Sequence, residues 1–143
     1  MFDCLIIGDS IAVGTQMFAP TCAKVAKGGI NTWQFNRMYV KEDLTAKTAI
    51  ISLGSNDHAH VKTEQELLAM RERVKAEKVY WILPAGNLKA SNVPIEKIQT
   101  IVYNIAGKYD DKVVAIKGLS PDGIHPTGAG YKQIVSDTVG NKK

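Results

Sequence analysis

Met1-Phe2-Asp3-Cys4-Leu5-Ile6-Ile7-Gly8-Asp9-Ser10 opens the chain. From Phe2 to Ile7 the run is apolar except for Asp3, and it stops at a glycine with polar residues behind it. A short, nearly continuous apolar run closed by glycine is the pattern of a strand buried on both faces. The pattern returns at Thr21–Ala26, more weakly, and then at Thr48–Leu53, Lys78–Leu83 and Lys112–Ile116. These runs are rich in Ile, Val, Leu and Tyr and are bounded by Gly or Pro.

Between the strands lie stretches of helical period. Asn31-Thr32-Trp33-Gln34 reads as a capping box, with Asn as cap and Gln three residues on. Thr63-Glu64-Gln65-Glu66 reads as a second, ahead of Leu67, Met70 and Val74 at helical spacing. Pro94 starts a third helix whose Ile95, Ile98, Val102 and Ile105 share a face. Thr127 caps a last one, with Tyr131, Ile134, Val135 and Thr138 turned inward. Strand–helix alternation with apolar strands implies a parallel sheet covered on both faces. The expected fold class is α/β: a flavodoxin-like three-layer α/β/α sandwich over 1–143 as a single domain, with a five-stranded parallel sheet in the order 2-1-3-4-5. Ligands of such sheets bind beyond the carboxyl ends of the strands, so reactive residues should cluster there.

Composition fits this reading. The 143 residues are 45% hydrophobic and 22% charged, ordinary values for a globular chain. The net charge of +4 comes from scattered basic residues with no run of five, which argues against a nucleic-acid footprint. No stretch has the length of a membrane span. The first residues carry no basic region ahead of an apolar core, so a cytoplasmic protein, or one released without a signal peptide, is expected. Cys4 and Cys22 each sit in an apolar run and read as two reduced, buried thiols without metal-ligand spacing.

Polar residues do cluster after the strands. Gly8-Asp9-Ser10-Ile11 follows the first, Gly28-Gly29 the second, Gly54-Ser55-Asn56-Asp57 the third, and Asp122-Gly123-Ile124-His125-Pro126 the fifth. Each alone is an ordinary turn signal. Together they hold the parts for acyl transfer. A serine hydroxyl needs a base to become a nucleophile, and His125 can act as one near neutral pH. That histidine needs a carboxylate to fix its tautomer, and Asp122 lies three residues before it. An oxyanion needs fixed donors, which the N–H of Ser10, a glycine N–H after the second strand and the Asn56 amide can supply. Gly29 is preferred over Gly28, being nearer the following helix start.

Gly8-Asp9-Ser10-Ile11 with Gly14, the glycine pair at Gly28-Gly29, Gly54-Ser55-Asn56-Asp57 and Asp122-Gly123-Ile124-His125-Pro126 resemble, in order, the sequence blocks of the SGNH, or GDSL-like, hydrolases. Isoleucine at 11 stands where that family usually has leucine. The resemblance spans nearly the whole chain. It implies a serine hydrolase of carboxylic esters, with Ser10, Asp122 and His125 as triad, Ser10, Gly29 and Asn56 as oxyanion hole, and no metal or organic cofactor. Asp9, Gly28, Asp57, His58 and Trp33 flank these positions as candidate substrate contacts. With no room for a lid domain, and with Pro84–Pro94 the longest loop, a short acyl group is expected, such as acetyl on a carbohydrate or other small ester. Thioesterases and lysophospholipases of the same family, and a non-catalytic glycan-binding or structural module on this fold, are the alternatives. Asp9 and Asp57 as a glycosidase pair would leave Ser10 and Asn56 unexplained. His58 and His60 lack a third ligand for a metal. Dinucleotide and Walker loops and the G-x-S-x-G elbow are absent.

Overall fold

The strands β1 (Phe2–Gly8), β2 (Ala23–Ala26), β3 (Thr45–Ser52), β4 (Lys75–Ile82) and β5 (Lys112–Val114) form one parallel sheet in the order β2-β1-β3-β4-β5. The structure, a computed structural model, describes residues 1–86 and 92–140. The Pro84–Pro94 connection therefore lies partly outside the described residues.

Register explains how one apolar sequence fills two cores. Val25, Ile7, Ile51, Trp81 and Val113 lie in one row across the sheet, and all meet the same core. In the neighbouring row Ile6, Ile50 and Tyr80 point to the opposite core, because successive side chains alternate faces. The first core lies under α2 (Thr32–Met38), α3 (Thr63–Arg73) and α4 (Ile95–Tyr109), which supply Phe35, Leu67, Met70, Val102 and Ile105. The second lies under α1 (Ser10–Met17) and α5 (Gly128–Asp137), which supply Ile11, Ala12 and Ile134. Burying each such large side chain contributes about 2 kcal/mol. Trp81 is wholly buried, and its indole N–H donates to Asp111 Oδ2 at 2.9 Å, so it is a core residue.

Four expectations need correction. The thiols are not free: Cys4 and Cys22 form a disulfide, because Leu5 pairs with Ala23 and thereby sets the preceding residues side by side, Cα to Cα 4.7 Å. The segment after β1, given no element from sequence, is α1. Its run Ser-Ile-Ala-Val-Gly-Thr-Gln-Met carries no charge to mark a solvent face, although Asp9 caps it. Thr63 does not cap α3. It is the first helical residue, Lys62 is the cap position without a side-chain bond, and the Thr63 hydroxyl is spent on Asp57. Lastly β5 ends at Val114, and the chain to Pro126 is irregular save for a bridge between Leu119 and Pro126.

Candidate active site

β1 delivers Ser10 to the rim of the sheet through a close backbone approach. Gly8 has φ of +138°, and a Cβ there would stand 1.8 Å from the Ser52 carbonyl oxygen, so only glycine fits. The N–H of Asp9 then donates to that carbonyl at 2.9 Å. Asp9 caps α1 by accepting from the N–H of Ile11 at 3.0 Å, and its Oδ1 also accepts from Ser52 Oγ at 3.0 Å. Ser10 is thus the first residue of α1, half-buried, with its N–H among the first-turn amides that have no partner within the helix.

The histidine comes from a self-bonded turn before α5. The N–H of Ser120 donates to the His125 carbonyl at 2.8 Å, and the N–H of Gly123 to the Ser120 carbonyl at 2.9 Å. Asp122 sits inside this turn. Its Oδ1 accepts from the N–H groups of Ile124 and His125 at 2.8 and 2.9 Å and from Ser120 Oγ at 2.8 Å. Those donors, Ile124 first and the His125 ring with them, hold its carboxyl well below the usual carboxylate range although it is exposed. Asp122 Oδ2 lies 2.6 Å from His125 Nδ1, and His125 Nε2 lies 2.7 Å from Ser10 Oγ. With Nδ1 protonated toward Asp122, Nε2 presents its lone pair to the serine hydroxyl.

Asn56 is held by the neighbouring loop: its Nδ2 donates to the Ile30 carbonyl at 3.0 Å, and the second N–H of the amide makes no further hydrogen bond among the described residues. Gly28 is close to Ser10, since a Cβ on it would lie 3.8 Å from Ser10 Cβ. Gly29, with φ of +77°, would carry its Cβ into open space.

The other candidates separate clearly. Asp9 and Asp57 are sealed in the interior, at 0% and 1% exposure, so neither faces a substrate, and a glycosidase pair is ruled out with them. Asp9 is pushed up to about 6, mainly by burial against its hydrogen bonds. Asp57, likewise raised by burial, accepts from the N–H and Oγ1 of Thr32 at 2.9 and 2.7 Å and from Thr63 Oγ1 at 2.6 Å. It is the clamp that fixes the Asn56 loop to α2 and α3. His58 is exposed beside a cleft of about 620 Å³ lined also by Lys62, Leu68, Lys97, Ile98 and Ile101, and by neither Ser10 nor His125. His60 donates its N–H to His58 Nδ1 at 3.2 Å. Trp33 is half exposed on α2 with Arg37 stacked over its ring at 4.7 Å. Sequence reasoning passed over Ser52, Thr32, Thr63 and Ser120, the hydroxyls that hold the carboxylates. Only Ser120, two residues before Asp122, had a local signal.

No protein-family model matches the sequence, and no curated protein matches it either. Solved structures do. A GDSL-like lipase from Bacteroides thetaiotaomicron superposes with a TM-score of 0.70 at 22% identity, over 96% of this chain and 85% of that one. AlinE4, an SGNH-hydrolase family esterase, superposes with a TM-score of 0.54 at 16% identity, over 98% of this chain and 94% of that one. Five parallel strands in this order, with a serine and a histidine meeting at their carboxyl rim, thus place the chain in the fold shared by GDSL-like lipases and SGNH-hydrolase esterases.

Proposed function

We propose that this chain is a serine ester hydrolase of the SGNH, GDSL-like type, with Ser10, His125 and Asp122 as its triad. The observation that carries the reading is the unbroken line Ser10 Oγ, His125 Nε2, His125 Nδ1, Asp122 Oδ2, at 2.7 and 2.6 Å, between residues 115 apart in sequence. A fold needs no such alignment for stability, and general-base catalysis does.

In this reading Ser10 Oγ attacks the ester carbonyl as its proton passes to His125 Nε2. The ionised Asp122 balances the imidazolium. The oxyanion is met by the N–H of Ser10, an N–H of the Gly28–Gly29 turn and the second N–H of Asn56 Nδ2. Gly28 is the turn residue packed nearest Ser10, so the preference for Gly29 becomes a choice between adjacent amides of one turn. The alkoxide leaves with the proton from His125. A water, deprotonated by the same nitrogen, then releases the acyl group from Ser10.

The substrate we favour is a short acyl ester, acetyl on a carbohydrate or other small alcohol. In support, the 620 Å³ cleft does not include the triad, and Ser10 and His125 are both half-buried. Turnover of p-nitrophenyl acetate by wild type and Ser10→Ala tests the chemistry. Loss of about 10³-fold or more in Ser10→Ala is expected, and equal rates would sink the proposal. A series of acyl lengths and acetylated sugars then tests the substrate class.

A further inference from the structure

We infer that the segment after β4, Pro84 to Gly86, is a positioning element of the site: contact of Gly86 with the Gly123 carbonyl sets where the Asp122–His125 turn stands over Ser10. The inference rests on the triad reading above. Gly86 belongs to none of the sequence blocks and takes no part in the chemistry. Yet a Cβ on Gly86 would fall 1.7 Å from the carbonyl oxygen of Gly123, 2.7 Å from its carbonyl carbon and 3.3 Å from Ile124 Cγ1. The contact is backbone on backbone, so no change of rotamer can relieve it. Gly86 also has φ of +72°, a region glycine favours.

Which side would yield follows from how each is held. The segment is pinned at its root: the N–H of Leu83 donates to Val114 at 2.9 Å, and Gln99 Nε2 of α4 donates to the Pro84 carbonyl at 2.8 Å. Pro84 also packs beside Gly54, two residues before Asn56, with Cγ 3.8 Å from the position of a Cβ there. Among the described residues the hydrogen bonds of the histidine turn run mainly within it, through Asp122 and Ser120, with the Thr127 N–H on the Gly118 carbonyl at 2.9 Å closing its base, and Asp122 is exposed. A body that is rigid inside and loosely held outside moves as a unit. Pressure at Gly123 would therefore keep the Asp122–His125 bond and stretch the one from His125 to Ser10. Gly123 itself differs: its φ is +71°, but a Cβ there meets nothing within 4 Å. That turn needs Gly123 for its conformation and Gly86 for its position.

The test is Gly86→Ala with Gly107→Ala as control, Gly107 being a helical position on α4 with open space. Gly86→Ala is expected to lower kcat on p-nitrophenyl acetate by about 10- to 100-fold, the effect of roughly an ångström of misplacement, with KM little changed. The low-field proton signal of His125 Nδ1–H toward Asp122 should persist, while the His125 Nε2 and Ser10 signals shift. Wild-type kcat, or loss of the low-field signal together with activity, would overturn the inference. Should Gly86→Ala fail to fold, Gln99→Leu loosens the same segment without a collision. It should lower kcat several-fold at constant KM, and an unchanged kcat would overturn the inference. If wild type proves no faster than Ser10→Ala, the hydrolase reading has failed. The NMR shifts of Ser10 and His125 still decide the positioning claim.

Discussion

Thr63 Oγ1 donates to Asp57 Oδ2 across 2.6 Å, and Thr32 Oγ1 reaches the same oxygen at 2.7 Å from the start of another helix. One buried carboxylate therefore joins the first turns of α2 and α3 to the residue after Asn56. Asp57→Ala would leave the Thr32 N–H and two hydroxyls without an acceptor in a dry site. We expect it to cost about 3 kcal/mol in urea denaturation and to lower kcat by releasing Asn56. Thr63→Val removes one of the three bonds and should cost about 1 kcal/mol. Because Thr63 is not the cap of α3, helix content by circular dichroism should not fall.

Asp9 predicts a pH dependence of stability with an unusual sign. Its carboxyl is raised from 3.8 to about 6, first by burial, and Oδ2 is buried with no partner among the described residues. Between those two values the folded chain holds a proton that the unfolded chain has released. Stability from this group therefore rises as pH falls through the window. A shift of that size corresponds to about 3 kcal/mol. Asn at this position keeps an oxygen for Ile11 and Ser52 but does not titrate. The stability of wild type relative to Asp9→Asn should therefore increase by about 2 kcal/mol between pH 7 and pH 4, the rest of the shift being reached only below the unfolded value. Asp57 is shifted in the same direction and is common to both proteins, so it cancels. A difference that stays flat with pH would show that Asp9 is ionised in the folded state.

The sheet order was legible because its evidence is local. Each strand announces itself by an apolar run, and alternation with helices leaves few parallel topologies. Three of the four polar loops were legible for the same reason, since Asp9–Ser10, Gly28–Gly29 and Gly54–Asp57 each begin within two residues of a strand end, whereas Asp122–Pro126 stands eight residues or more beyond Val114 and was marked by its residue types alone. What stayed hidden depends on pairs of elements. The register that sets Cys4 beside Cys22 exists only once β1 and β2 pair. The acceptor that takes Thr63 away from its helix cap lies six residues upstream in a loop. Asp9 and Asp57, candidates for touching substrate by their place in the motifs, prove to be sealed under the loops they hold. The contact of Gly86 with Gly123 has no sequence signature, since it links the connection after β4 to the turn before α5.

Asp122 is expected to stay ionised on mild acidification. The N–H groups of Ile124 and His125, the imidazole and Ser120 hold its carboxyl well below the ordinary range. What this group lends the turn is thus fully present above the ordinary carboxylate value and is lost only as pH falls through its lowered one. Activity lost on mild acidification is therefore not expected to come from protonation of Asp122. Asp122→Asn should lower kcat by about 10⁴-fold, as loss of the tautomer-fixing carboxylate does in serine proteases. An acid limb in wild type that steepens to two protons above pH 4 would contradict this assignment.

The Cys4–Cys22 bridge closes a loop of 18 residues spanning α1 between the first two strands. Constraining the unfolded chain by a loop of that length is worth about 3 kcal/mol in the chain-entropy model. Reduction, or Cys4→Ser with Cys22→Ser, should therefore lower Tm by about 10 °C. The bridge lies toward the start of β1, and Ser10 follows the strand's far end, across Leu5, Ile6 and Ile7, which are wholly buried. That rigid core isolates the site from the bridge. The reduced protein at 25 °C should keep kcat on p-nitrophenyl acetate within about twofold, because the register of β1 against β3 is untouched. Thermal melts and initial rates with and without reductant check both halves, and a fall in kcat at unchanged fold would mean that the pairing of β1 with β2 reaches the Gly28–Gly29 turn.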